Sequence, residues 1–131
     1  MKLLLDTHIW FWSLVEPARL SSQVARHLAD PENELWLSPI SVWELIVLAE
    51  KGRVRLDSEP AVWVRDALRR VSVKEAAMNY EIAVESRNVD LPHQDPADRF
   101  LAATARVYEL TLVTQDERLL GVSGITSVSN R

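Results

Sequence analysis

The chain has 131 residues, 47% of them hydrophobic and 26% charged, with no cysteine and a formal net charge of −4. That length suits one domain with a sizeable core, and the lack of cysteine excludes disulfides, thiolate metal sites and cysteine nucleophiles. The net charge gives no global attraction to nucleic acid, no apolar run approaches the ~20 residues of a membrane span, and the expected compartment is the cytoplasm. Charge is nevertheless uneven: Lys51, Arg53 and Arg55 form one cluster, and Arg65, Arg69, Arg70 and Lys74 another. Each is either a solvated helix end or a local rim for phosphate.

The first stretch, Met1 to Leu5, carries three consecutive leucines without alternation. It reads as a strand buried on both faces, at home in the middle of a parallel sheet. Asp6 follows directly, at the carboxyl edge where open α/β sheets bind ligands. Ile9 to Trp12 is an apolar helical turn, and Ser21-Ser22 with Val24, Ala25 and Leu28 predicts a capped amphipathic helix. Asp30 to Asn33 is turn chemistry. Glu34 to Ser38 is a second strand, after which Pro39 opens a helix that ends at Lys51-Gly52.

Pro60 opens another helix, reaching Arg70. A minimal strand is expected at Val71 to Val73 and a helix from Lys74 to Glu85. A loop over Asn88 to Gln94 leads into the helix begun by Asp95-Pro96-Ala97-Asp98. Leu110 to Thr114 is a strand closed by Gln115-Asp116. A short helix around Leu119-Leu120 and a last strand over Ile125 to Val128 complete the domain. Strands alternating with helices imply an α/β fold with a mostly parallel sheet and right-handed crossovers.

Four acids fall where this topology can gather them. Asp6 and Asp116 follow strands, Glu44 lies in the second turn of the Pro39 helix, and Asp98 in the first turn of the helix behind Asp95. Taken singly, Asp95 and Asp98 are ordinary helix-start acids and Asp116 is equally an N-cap. Taken jointly, carboxylates in one pocket repel unless a cation neutralises them, and hard oxygen ligands select Mg²⁺ or Mn²⁺. Such a site suits phosphodiester hydrolysis by a metal-activated water.

Leu3-Leu4-Leu5-Asp6-Thr7-His8, Ser38 to Glu44, His93 to Ala103 and Leu112 to Asp116 together resemble the PIN-domain family, and more narrowly its VapC-type toxins of bacterial toxin–antitoxin pairs. The resemblance spans residues 1–131 as one PIN domain. It implies a sheet of strand order 3-2-1-4-5 and a Mg²⁺- or Mn²⁺-dependent endoribonuclease acting on structured RNA. It also implies a homodimer and a cognate antitoxin that occupies the active-site groove. By position, Asp6, Glu44, Asp98 and Asp116 match the family's acids. Asp6 and Asp98 would be direct metal ligands, while Glu44 and Asp116 would bind a second ion or hold waters. Asp95 matches a family position that helix capping explains as well.

Around these acids, Thr7, Ser38 and Thr114 either hydrogen-bond a metal-bound water or phosphate, or cap backbone at strand ends. Arg99 is expected to contact RNA phosphate or to pair with an acid. His8 and His93 are read as structural, and Trp10, Trp12, Trp36, Trp43 and Trp63 as core or dimer packing rather than base-stacking groups. A dehalogenase-like phosphatase wants an acid where His8 stands, and a receiver domain wants a lysine that the chain lacks. The remaining alternative is a non-catalytic PIN-like module that binds RNA or protein; it would be expected to lose acids that this chain retains.

Overall fold

The computed structural model describes all residues, 1–131. Strand β1 (Lys2–Leu5) occupies the centre of a five-stranded parallel sheet. On one side it pairs with β2 (Glu34–Leu37), which pairs with the two-residue edge strand β3 (Lys74–Glu75). On the other it pairs with β4 (Thr111–Thr114), which pairs with β5 (Ser127–Ser129). The order is therefore 3-2-1-4-5, as expected.

The leucine run follows from this central position. Successive strand side chains point to opposite faces, so Leu3 and Leu5 enter one core while Leu4 enters the other. All three are 0–1% exposed. The first core receives helices α1 (Thr7–Val15), α2 (Ser22–Ala29), α3 (Pro39–Glu50) and α4 (Pro60–Arg70), through residues such as Trp10, Val24, Leu45 and Trp63. The second receives α5 (Tyr80–Glu85) and α6 (Pro96–Val107), through Ile82, Leu101 and Ala102. A sheet covered on both faces needs apolar residues at every position of its central strand. No helix is long and apolar enough to cross a membrane.

Four local features differ from expectation. The edge strand lies at Lys74–Glu75 and not at Val71 to Val73, and the helix expected from Lys74 starts only at Tyr80. Pairing with β2 holds Lys74–Glu75 extended, continued by the Ala76 N–H bond to the Leu37 carbonyl at 2.9 Å. Asn79 then caps α5 by accepting from the Ile82 N–H. Around Leu119 there is a hydrogen-bonded turn over residues 117–121 in place of a helix, with Leu119 buried as a plug. The last strand begins at Ser127, two residues later than expected.

Helix α3 ends in a tight backbone turn. The Arg53 N–H bonds the Leu48 carbonyl at 2.8 Å and the Gly52 N–H bonds the Ala49 carbonyl at 3.1 Å. Gly52 has φ +71°, so this is a Schellman termination, and only a residue without Cβ adopts that backbone freely. Gly52→Ala should lower stability by about 1 kcal/mol in urea unfolding with the fold retained by circular dichroism; an unchanged midpoint would contradict this strain argument.

Candidate active site

Parallel strands place their carboxyl ends on one sheet edge, and the acids collect there. The Asp6 N–H bonds the Val113 carbonyl at 3.0 Å, extending the β1–β4 ladder by one residue and fixing Asp6 beside β4. Asp6 is also the N-cap of α1: one carboxylate oxygen accepts from the Thr7 N–H at 2.7 Å. Its other oxygen accepts from the Thr114 hydroxyl at 2.6 Å. That hydroxyl in turn accepts from the Asp116 N–H at 3.0 Å. On the other flank the Thr7 hydroxyl donates to Glu44 of α3. Ordinary capping thus ties three acids from three elements into one hydrogen-bonded chain.

Asp98 enters from the first turn of α6, whose N-cap is Asp95; the Asp95 carboxylate accepts from the Asp98 N–H at 3.3 Å. Asp6, Glu44, Asp95, Asp98 and Asp116 all line one cavity of about 400 Å³. Asp98 is only 8% exposed, and its Oδ2 accepts no hydrogen bond. Two nitrogens stand off from that oxygen at 3.5 Å: Nε2 of His93 and the guanidinium Nη2 of Arg118. Arg118 grips Asp116 more closely, with its Nη2 2.9 Å and its Nε 3.1 Å from the two carboxylate oxygens.

Proximity and burial change the acids' protonation. Burial, followed by the charges of Asp95, Asp116 and Asp6, pushes Asp98 up to about 7. Burial also raises Asp6, against the pull of Thr114, and raises Glu44, against that of Thr7. Asp116 goes the other way, held down by the Arg118 guanidinium. Three carboxyls are therefore driven toward the neutral form and one is held ionised by a cation.

A scan against family models matches the chain to the PIN domain over residues 3–125. The chain belongs to the PIN-domain family. It is 35% identical over 119 residues to Ribonuclease VapC22 of Mycobacterium tuberculosis, covering 88% of each protein, which places it among VapC-type members. Its fold is shared with VapBC2 from Rickettsia felis, solved bound to a promoter DNA fragment (TM-score 0.72, 15% identity, 98% of both chains). It is shared too with DNA-bound VapBC from Salmonella typhimurium (TM-score 0.68, 19% identity, 100% of this chain and 99% of that one).

In this PIN domain the residues around the acids divide. Thr7 and Thr114 hold carboxylates. Ser38 does not reach the acid cavity: its hydroxyl accepts from the Ile40 N–H at 3.1 Å as the N-cap of α3 and lines a separate, largely apolar cavity. Arg99 neither pairs with an acid nor faces phosphate. It is 6% exposed, and its guanidinium donates to the carbonyls of Ser86, Val89 and His93 at 2.8, 3.0 and 3.1 Å. It is the clamp that shapes the loop leading into α6. Arg118 is a site residue that the sequence reading missed; an arginine two residues after a strand-end aspartate was the available signal. His93, read as structural, lies against Asp98, and His8 lines the cavity while its ring packs 5.4 Å from that of Trp12.

As the side chains stand, no three carboxylates or imidazoles converge closely enough to enclose an ion. The donor set nevertheless fits a hard divalent cation. It is all carboxylate and hydroxyl oxygen, one buried oxygen lacks a hydrogen-bond donor, and Asp98 is raised by burial and then by repulsion that a cation would relieve.

Both the clamp and the raised acid can be tested by stability. Arg99→Met should cost roughly 2–4 kcal/mol, because it strips donors from several buried carbonyls at once; unfolding in urea reads it, and a loss under 1 kcal/mol would contradict the clamp. For Asp98 the folded protein favours the neutral form, so its contribution is complete below about pH 4 and is lost as pH rises through about 7. Asp98→Asn should therefore stabilise the metal-free protein at pH 8 by roughly 1–2 kcal/mol, with the gain vanishing near pH 4. Parallel stability curves for the two proteins would contradict the shift.

Proposed function

We propose that this chain is a Mg²⁺- or Mn²⁺-dependent endoribonuclease toxin that hydrolyses phosphodiester bonds of structured RNA and is neutralised by a cognate antitoxin. The observation that carries this reading is the shared cavity of Asp6, Glu44, Asp98 and Asp116, with Asp98 buried, under-bonded and raised to about 7. Membership of the family that contains Ribonuclease VapC22 supports ribonuclease chemistry. The VapBC complexes that share its fold support a toxin of a toxin–antitoxin pair.

Asp6 and Asp98 are the direct ligands in this reading, and Glu44 and Asp116 hold a second ion or its waters. When bound, the ion supplies Lewis acidity, activating water and offsetting charge on the scissile phosphate. The protein's own part is to preset the ligands. Thr114 and the Thr7 N–H fix the Asp6 carboxylate, Thr7 fixes Glu44, and the Asp95 cap fixes the first turn of α6. Preset ligands reduce the reorganisation required when substrate arrives. Arg118, whose side chain is 56% exposed, can exchange the acids for solvent and is then placed to meet phosphate. The further proposals are a homodimer and cytoplasmic action.

Asp6→Asn tests the reading with little structural damage. Asparagine is as good an N-cap as aspartate, and the Thr114 hydroxyl can turn to accept from the new amide. RNA cleavage by the antitoxin-free variant should fall at least about 100-fold, and growth arrest on expression should be relieved, with circular dichroism unchanged. Cleavage undiminished in the variant, or persisting in the parent with excess EDTA, would overturn the metal-ligand role.

A further inference from the structure

A polyanion entering an acidic cup must be held by cations outside it. The cations at the rim are not equally free. Arg19 lies over the Trp12 ring at 4.4 Å and pairs with Glu16 at 3.6 Å, and Arg118 rests on Asp116 until an ion releases it. Beyond Glu44, Leu48 and Asp95, however, the acid cavity continues into a second recess of about 340 Å³ that shares those three residues. Lys51, Arg53 and Trp43 line it. Neither Lys51 nor Arg53 takes part in any ion pair of the structure.

The placement follows from α3. Trp43, Val47 and Lys51 are spaced by four residues and share one stripe of the helix; Glu44 and Leu48 form the adjoining stripe. The Schellman turn at Gly52 returns Arg53 over the helix end. Trp43 is 56% exposed, whereas Trp10, Trp12 and Trp63 are at most 7% exposed. Leaving an indole in water costs the burial that its neighbours obtain, and a flat aromatic wall beside two unpaired cations matches a nucleotide in both of its parts.

We propose that this recess is the subsite for an unpaired nucleotide next to the cleaved bond. Its base stacks on Trp43, and Lys51 and Arg53 take its phosphates. The base must be unpaired, because a base within a duplex offers no free face to an indole. The proposal rests on the ribonuclease reading above and deepens it by naming what flanks the scissile phosphate. Within the recess Lys51 and Arg53 offset Glu44 and Asp95, and these two cations are the complement of a phosphate chain approaching the acids.

Steady-state cleavage in Mg²⁺ of stem-loop RNAs with unpaired loops of mixed sequence tests it, comparing the parent, Trp43→Ala, Trp43→Phe and Lys51→Ala/Arg53→Ala. None of these residues belongs to the acid set. Trp43→Ala should raise KM roughly tenfold with kcat little changed, and Trp43→Phe should restore most of the loss, as stacking requires. The double variant should also raise KM and should flatten the salt dependence of kcat/KM by about 1.4 in logarithmic slope, because two phosphates are no longer neutralised. Melting curves report that each variant is folded. KM values equal to the parent's overturn the subsite alone. Unchanged RNA kinetics with weakened antitoxin binding overturn it in favour of a protein-docking face. A parent that cleaves no RNA defeats the ribonuclease reading itself, and the subsite with it.

Discussion

Asp6 stands where β1 ends and α1 begins, and both neighbours hold its carboxylate. The β1–β4 ladder runs one residue past the strand to fix its backbone, the first turn of α1 supplies an N–H to one oxygen, and Thr114 supplies a hydroxyl to the other. A carboxylate so held cannot swing to solvent to escape its neighbours. The crowding of Asp98, Asp116 and Glu44 around it is therefore built into the backbone, and protonation becomes the protein's available response while no cation is present. Burial first, and this crowding after it, raise Asp6, Glu44 and Asp98.

The same constraint explains why the arginines differ in kind. Arg99 and Arg118 both lie close to the acids in sequence, yet one is buried among carbonyls and the other spans two carboxylates from a half-exposed position. Arg99 stabilises the loop from which α6, and hence Asp98, is launched. Arg118 offsets charge locally and holds Asp116 ionised. A cation that neutralises acids from outside the core can be exchanged for another cation, whereas a buried clamp cannot leave without orphaning the groups it satisfies.

Much of this was legible in the residues. Three leucines without alternation announced a strand covered on both faces, and Leu3, Leu4 and Leu5 do fill two opposite cores. The placing of acids after strands and in first helical turns announced one shared edge, and the cavity contains all four. What escaped was whatever depends on a partner far away in sequence. Lys74–Glu75 has no strand signature of its own and is extended because β2 offers an edge. Ser38 and Thr7 are both small hydroxyl residues at strand ends, but only the fold shows that Ser38 caps α3 away from the acids while Thr7 reaches Glu44. Arg99 could not be told from an RNA-facing arginine until the loop carbonyls around it were in place.

Anomalous diffraction from crystals soaked in Mn²⁺ would test the central electrostatic arrangement most directly. A peak should appear between the Asp6 and Asp98 carboxylates, with the Arg118 guanidinium withdrawn from Asp98. A fully soaked crystal with no peak in the cup, or with manganese bound only elsewhere, would contradict the claim that these acids are gathered to hold a divalent ion.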